Sequence, residues 1–236
     1  MKRILTIVLL AAAWCILPQA PVFAQRFFAS PDEAVKVLQA ATQAKDKTAL
    51  REIFGPEVKE LLTGDEVQDA KNAQKFASVM AQGYTLVNEG DDKITIEVGP
   101  DSWPMPIPLV KANGQWHFDT AAGKEEIINR HIGKDELHAI GVCQAYASAH
   151  GPSAGMDFKQ PFHGYYFRIL HGQYLVAYPS DWDHSGIMTF IAGQDGKVYQ
   201  KNLGQKTFRI ARAMKGYKPD SEWILVQDKG IAVPEQ

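Results

Sequence analysis

Cysteine is scarce in this chain, with Cys15 and Cys143 the only two in 236 residues. That count excludes a disulfide framework and every zinc site built on paired cysteines. A basic excess is missing as well: 25 Lys and Arg stand against 27 Asp and Glu. Without a positive footprint, neither nucleic acid nor an anionic lipid surface is an expected partner. The zinc-protease pattern, two histidines four apart with a glutamate beside the first, does not occur, nor does calcium-loop spacing or a glycine motif for phosphate or dinucleotide. Spacing alone therefore predicts no metal and no cofactor.

Long apolar runs are also lacking, and none reaches the roughly 20 residues that span a bilayer. The longest, Ile4 to Leu17, follows Lys2 and Arg3 and ends at Pro18, and Val22-Phe23-Ala24 then offers a small-residue cleavage site. This is the pattern of a secretory signal peptide cleaved after Ala24. The rival reading is an uncleaved anchor. Lipidation at Cys15 is disfavoured because Trp14 is too large to precede a lipidated cysteine. Removal of residues 1–24 leaves 212, takes away Lys2, Arg3 and Cys15, and moves the formal charge from −2 to −4. The expected destination is the periplasm or the medium, with no membrane span after cleavage. Cys143 then has no partner for an intramolecular bond.

Within the rest, "SPDE" at 30–33 reads as a capped helix start with proline in its first turn. Ala34, Val35, Leu38 and Ala41 follow at helical spacing. A second helix spans Lys47 to Phe54, stopped by Gly55-Pro56. Asp65 caps a third, carrying Val67, Ala70, Phe76, Val79 and Met80. The period then shortens: "TLVNEG", "KITIEVG" and "PIPLVKANGQWHFDT" give a four-stranded meander with Asn113-Gly114 as a hairpin turn. This order of elements is loosely similar to the cone-shaped fold of nuclear transport factor 2-like proteins. Residues 121–150 form the longest helical stretch, with a possible break at Gly133 and Asp135 as a new cap. From Leu137 to Ala149 it is apolar nearly all round, which predicts a helix covered on every side and joining two lobes. Strands follow at "YYFRIL", "YLVAY", "GIMTFIA" and "KVYQK", then a helix from about Thr207 to Met214 and a short strand near Trp223 to Val226. The fold class is α+β: N-terminal helices and an antiparallel meander over 25–120, then a long central helix and a C-terminal antiparallel sheet over 121–236.

The densest polar stretch is "AGKEEIINRHIGKDELHAI", residues 122–140, with four acids, three bases and two histidines. On a helix, Glu126–Arg130 and His131–Asp135 pair four apart. His131 and His138 lie seven apart and share a site only loosely. The stretch reads as a solvated, ion-paired face, with His131 kept as a ligand candidate. Cys143 sits in the most apolar helix, where burial makes a thiol inert. "SDWDHSG", 180–186, places Asp183 and His184 beside a serine, but a triad is defined by geometry that adjacency does not supply. These are ordinary turn residues. In "GPDSWPMPIP", Trp103 and Met105 stand among prolines, either as an exposed aromatic platform or as the stiff entry to an edge strand. Trp116 is a further candidate for a pocket in the first lobe.

Five collinear motifs, "FFASPDEAV", "GPDSWPMPIPLV", "GQWHFDTAAGKEEIINRHIGKDEL", "GYYFRIL" and "SGIMTFIAGQDGKVYQKNLGQKT", resemble a bacterial family of exported proteins known as domain of unknown function 2950. The resemblance brings no activity and no catalytic residue with it. The family usually has two arginines where this chain has Arg130-His131, and longer segments where this chain has 151–163 and 171–173. The second half also resembles the globular part of type II secretion pseudopilins, without the pilin assembly signal, which implies a pilin-like sheet that is not a fibre subunit. Function is expected to be non-enzymatic binding of an envelope protein or small ligand. The alternatives are a small-molecule carrier with its pocket in the first lobe, near Trp103 and Trp116, and a hydrolase using Cys143 or the His184 loop.

Overall fold

The computed structural model describes residues 25–149, 160–171, 174–193, 195–218 and 220–227. The expected signal peptide and most of loop 151–163 lie outside them. The chain divides into two compact units, residues 1–103 with 109–118, and 104–108 with 119–236.

The first unit opens with helix α1 (Pro31–Ala44). Ser30 Oγ accepts from Glu33 N at 3.2 Å, and Glu33 Oε2 accepts from Ala29 N at 3.0 Å. One N–H of the first turn and the amide just ahead of the cap are thus satisfied. Ala34, Val35, Leu38 and Ala41 are its buried face, as the spacing predicts. Helix α2 (Lys47–Phe54) ends at Gly55, whose φ of +76° suits glycine. Helix α3 (Glu66–Met80) starts at Asp65, whose carboxylate accepts from Val67 N and Gln68 N. Its expected apolar face is corrected: only Met80 is fully buried, and Val67 is 66% exposed. Val67 lies in the first turn among Glu66, Gln68 and Asp69, where the helix end is solvated.

Strands β1 (Tyr84–Asn88), β2 (Lys93–Val98), β3 (Trp103–Pro104), β4 (Leu109–Ala112) and β5 (Gln115–Phe118) follow. The sheet order is β1-β2-β4-β5, with the two-residue β3 also pairing with β2. The meander therefore has one more strand than the four expected. Asn113 and Gly114 both have positive φ, +51° and +81°, the two-residue turn that matches strand twist. Phe118 sits at the centre, its ring 6.2 Å from that of Phe28 and 5.3 Å from that of Phe54, edge on in both cases.

The second unit is built on helix α4 (Thr120–Ala149). It runs unbroken through Gly133, so neither the break there nor the capping role of Asp135 is found. Nor is it apolar on every side. Ile132, Ala139, Ile140, Cys143, Tyr146 and Ala147 are buried, while Ala145 and Ala149 are exposed and Leu137 and Val142 only half covered. The buried positions recur three and four apart, an ordinary one-sided stripe. The alanines mislead because an exposed methyl group costs little.

Strands β6 (Tyr165–Leu170), β7 (Tyr174–Pro179), β8 (Met188–Ala192), β9 (Val198–Asn202) and β10 (Ile224–Leu225) form an antiparallel sheet in the order β10-β9-β8-β7-β6. Alternation sorts its side chains to two faces. Tyr165, Phe167, Leu175, Ala177, Phe190 and Ala192 pack with the α4 stripe. Leu170, Val176, Tyr178 and Ile191 pack on the other face with Ala211 of helix α5 (Thr207–Ala213). Arg168 on β6 donates from Nη2 to Ala211 O and Met214 O, both at 2.6 Å, satisfying carbonyls at the end of α5. Helix, sheet and helix make three layers.

Candidate functional site

The α4 stripe contains one charged member. Asp135 follows Ile132 by three and precedes Ala139 by four, so helical geometry turns it towards the sheet, and it is 4% exposed. A buried carboxylate needs partners. His131, one turn earlier, brings Nε2 to 3.3 Å from Asp135 Oδ2.

The loop entering β6 supplies the other wall. His163 has φ +43° and Gly164 φ +68°, two consecutive left-handed residues. Histidine tolerates this region better than most side chains. The tight turn places the His163 ring against that of His138, stacked with centroids 3.9 Å apart and planes 3° from parallel. Ligand-type atoms of Asp135, His138 and His163 all lie within 4.8 Å of one another.

The tautomer of His138 follows from its other contact. Nδ1 lies 2.9 Å from Lys134 O, and a carbonyl only accepts, so Nδ1 carries the proton and a neutral ring keeps its lone pair on Nε2. His163 is shifted below the usual histidine range, first by burial and then by the neighbouring His138, against an opposing pull from Asp135. The shift favours the neutral ring. Next to Asp135, Glu136 does different work: its Oε1 accepts from Ile187 N and Met188 N, both at 2.8 Å, and fixes the entry to β8.

Of the ligand candidates taken from sequence, only His131 touches this cluster, through Asp135; His138, read there as its loose partner, is a member. Asp183 and His184 lie in a self-bonded turn bordering a shallow cavity of about 340 Å³. There His184 Nδ1 approaches Asp181 Oδ2 at 3.7 Å, while Ser185 Oγ donates to Asp181 O at 3.0 Å. Serine and histidine are not hydrogen-bonded to each other, so no triad is assembled. Cys143 is fully buried, and burial alone pushes its thiol far up from the ordinary value. Trp103 is 44% exposed on β3; Met105 is buried, and so is Trp116, with Lys111 Nζ 5.7 Å from its ring centroid. In the 99–108 stretch Trp103 is thus exposed on a short strand while Met105 is buried.

What sequence reasoning missed is His163, which comes 25 positions after His138, beyond any helical spacing. The burial of Asp135 was within reach, because its place on the Ile132–Ala139 stripe is a matter of counting.

Among the described residues, no helix is long and apolar enough to cross a membrane. No curated protein and no solved structure matched the chain, so the likeness of its second half to pseudopilins is not confirmed. One family model does match, over residues 25–159 and 171–226. Residues 160–170 fall between these stretches, so "GYYFRIL" and His163 lie outside the match, whereas His131, Asp135 and His138 lie inside it. With most of its length matched, the chain belongs to the family described as Protein of unknown function (DUF2950).

Proposed function

We propose that this chain is an exported envelope protein that binds a ligand and does not transform it, with its binding site at the Asp135 cluster. The observation that carries the reading is the composition of that cluster: groups with lone pairs, His138, His163 and Asp135, and no hydroxyl or thiol among them. The nucleophile candidates are elsewhere and disarmed, Cys143 by burial and Ser185 by its bond to Asp181 O. Export is supported by the tripartite pattern of residues 1–24 and by a family match that begins at Gln25, the residue after the expected cleavage.

The test is expression of the full chain in a bacterial host with an outer membrane, followed by fractionation and N-terminal sequencing. Recovery in the periplasm with Gln25 first supports the reading, and retention in the cytoplasm overturns export. The recovered protein is then incubated with activated esters. No turnover is expected; turnover lost on Ser185→Ala or Cys143→Ala would replace binding by hydrolysis.

A further inference from the structure

We propose that Asp135, His138 and His163 form a site for a divalent transition-metal ion of the zinc, cobalt and nickel class. The inference deepens the binding reading above by naming its ligand.

Three observations carry it. The first is convergence: two residues of α4 and one of the loop before β6 bring ligand atoms within 4.8 Å of one another. An ordinary surface ion pair explains His131 beside Asp135, but not two further rings, stacked on each other at 3.9 Å, with ligand atoms within 4.8 Å of the same carboxylate. The second is donor chemistry. Two imidazoles and one carboxylate suit borderline metals, whereas calcium and magnesium take oxygen ligands almost throughout. The third is the outer shell. Metal-bound histidines usually donate their other ring N–H to a carbonyl or carboxylate, and ligand carboxylates are themselves hydrogen-bonded. His138 already gives Nδ1–H to Lys134 O at 2.9 Å, and His131 already contacts Asp135 Oδ2 at 3.3 Å. The first is a second-shell hydrogen bond already made, and the second places an imidazole beside the carboxylate.

The cluster is wider than a loaded site. Zinc–nitrogen bonds of about 2.0–2.1 Å put tetrahedral ligand atoms roughly 3.3 Å apart, so separations of up to 4.8 Å must close by at most about 1.5 Å. The stacked rings must also turn to aim their lone pairs at one point. His163 is the side chain free to do this, being half-buried on a loop rather than on the helix. Three protein ligands leave a coordination position for water or for a donor group of another molecule. Metal binding would tie the turn at His163-Gly164 to α4, and so should stabilise the second unit.

The experiment uses the full chain purified without a histidine tag and stripped by a chelator. Cobalt(II) is titrated while the visible spectrum is followed, and zinc(II) is then added. One equivalent of cobalt should bind with intense d–d bands of low coordination number, zinc should displace it, and magnesium or calcium should not. The melting temperature should rise on loading. His138→Ala and His163→Ala should each weaken binding by more than the roughly 10- to 100-fold that loss of an outer-shell partner costs, while His184→Ala should leave it unchanged. Should one variant fail to fold by circular dichroism, the other and Asp135→Asn carry the test. No uptake at large molar excess, or uptake that survives both His138→Ala and His163→Ala, overturns the proposal. Neither result touches the export and turnover arms, so failure of the metal and failure of the wider reading remain distinguishable.

Discussion

Asp135 and Gly164 are in enforced contact: Oδ2 of the carboxylate lies 2.5 Å from where a Cβ on Gly164 would stand. The same Cβ would meet Ser185 Cβ at 2.9 Å, and Gly164 has φ +68°. Gly164→Ala should therefore destabilise the chain by about 2–4 kcal/mol, from overpacking and from forcing alanine into a left-handed conformation. Denaturant unfolding followed by circular dichroism measures it. An unchanged midpoint would mean that Asp135 has another place to go.

Glu136 is predicted to be a structural residue. Its carboxylate satisfies two backbone N–H groups at the entry to β8. Hydrogen bonds to charged groups are worth about 1.5–3 kcal/mol, so Glu136→Ala should cost about 3 kcal/mol in chemical unfolding. Glu125→Ala, at an exposed position, should stay within about 0.5 kcal/mol. Equal effects from the two would contradict the assignment.

Cys143 should not react with a thiol reagent while the protein is folded. It is fully buried among Ala139, Ile140, Tyr146 and Ala147, and burial holds the thiol in its protonated, non-nucleophilic form. Mass spectrometry after brief exposure should show labelling only when denaturant is added. Rapid labelling of the native protein would reopen the hydrolase reading.

The legible part of this structure is what short-range chemistry decides. Ser30 and Asp65 announce their helices because a capping side chain reaches only three residues, and Asn113-Gly114 announces its hairpin because the turn needs two left-handed residues in a row. Helix α4 was legible in length but not in burial, since Ala145 and Ala149 count as apolar in a sequence yet sit in water at little cost. The site was the least legible. The His131–Asp135 pair is local and can be read from the sequence, whereas His163 reaches it only through the way β6 returns across α4. No spacing rule encodes that return.

Tyr217 gives a pH dependence of definite sign. Burial, then the neighbouring Tyr199 and Asp220, push its hydroxyl up to about 12 from the ordinary 10. Between those values the folded protein keeps a proton that the unfolded chain releases, so stability falls as pH rises through this range. Among the described residues its hydroxyl has no hydrogen-bond partner. Tyr217→Phe should therefore be neutral or slightly stabilising at pH 7 and should lessen the alkaline loss. Thermal melts of both proteins across pH 8 to 11 check this, and a variant clearly less stable at pH 7 would show that the hydroxyl is bonded.

The central claim is that the rings of His138 and His163 present lone pairs to a common ligand beside Asp135. Long-range proton–nitrogen correlation spectra of the uniformly ¹⁵N-labelled chain test it most directly, because each histidine reports which ring nitrogen carries the proton. Before metal is added, His138 should show the Nδ1–H form set by Lys134 O. One equivalent of zinc should then shift the nitrogens of His138 and His163 together and leave those of His171 and His184 in place. An Nε2–H form of His138, or zinc shifts confined to His171 and His184, would contradict the account.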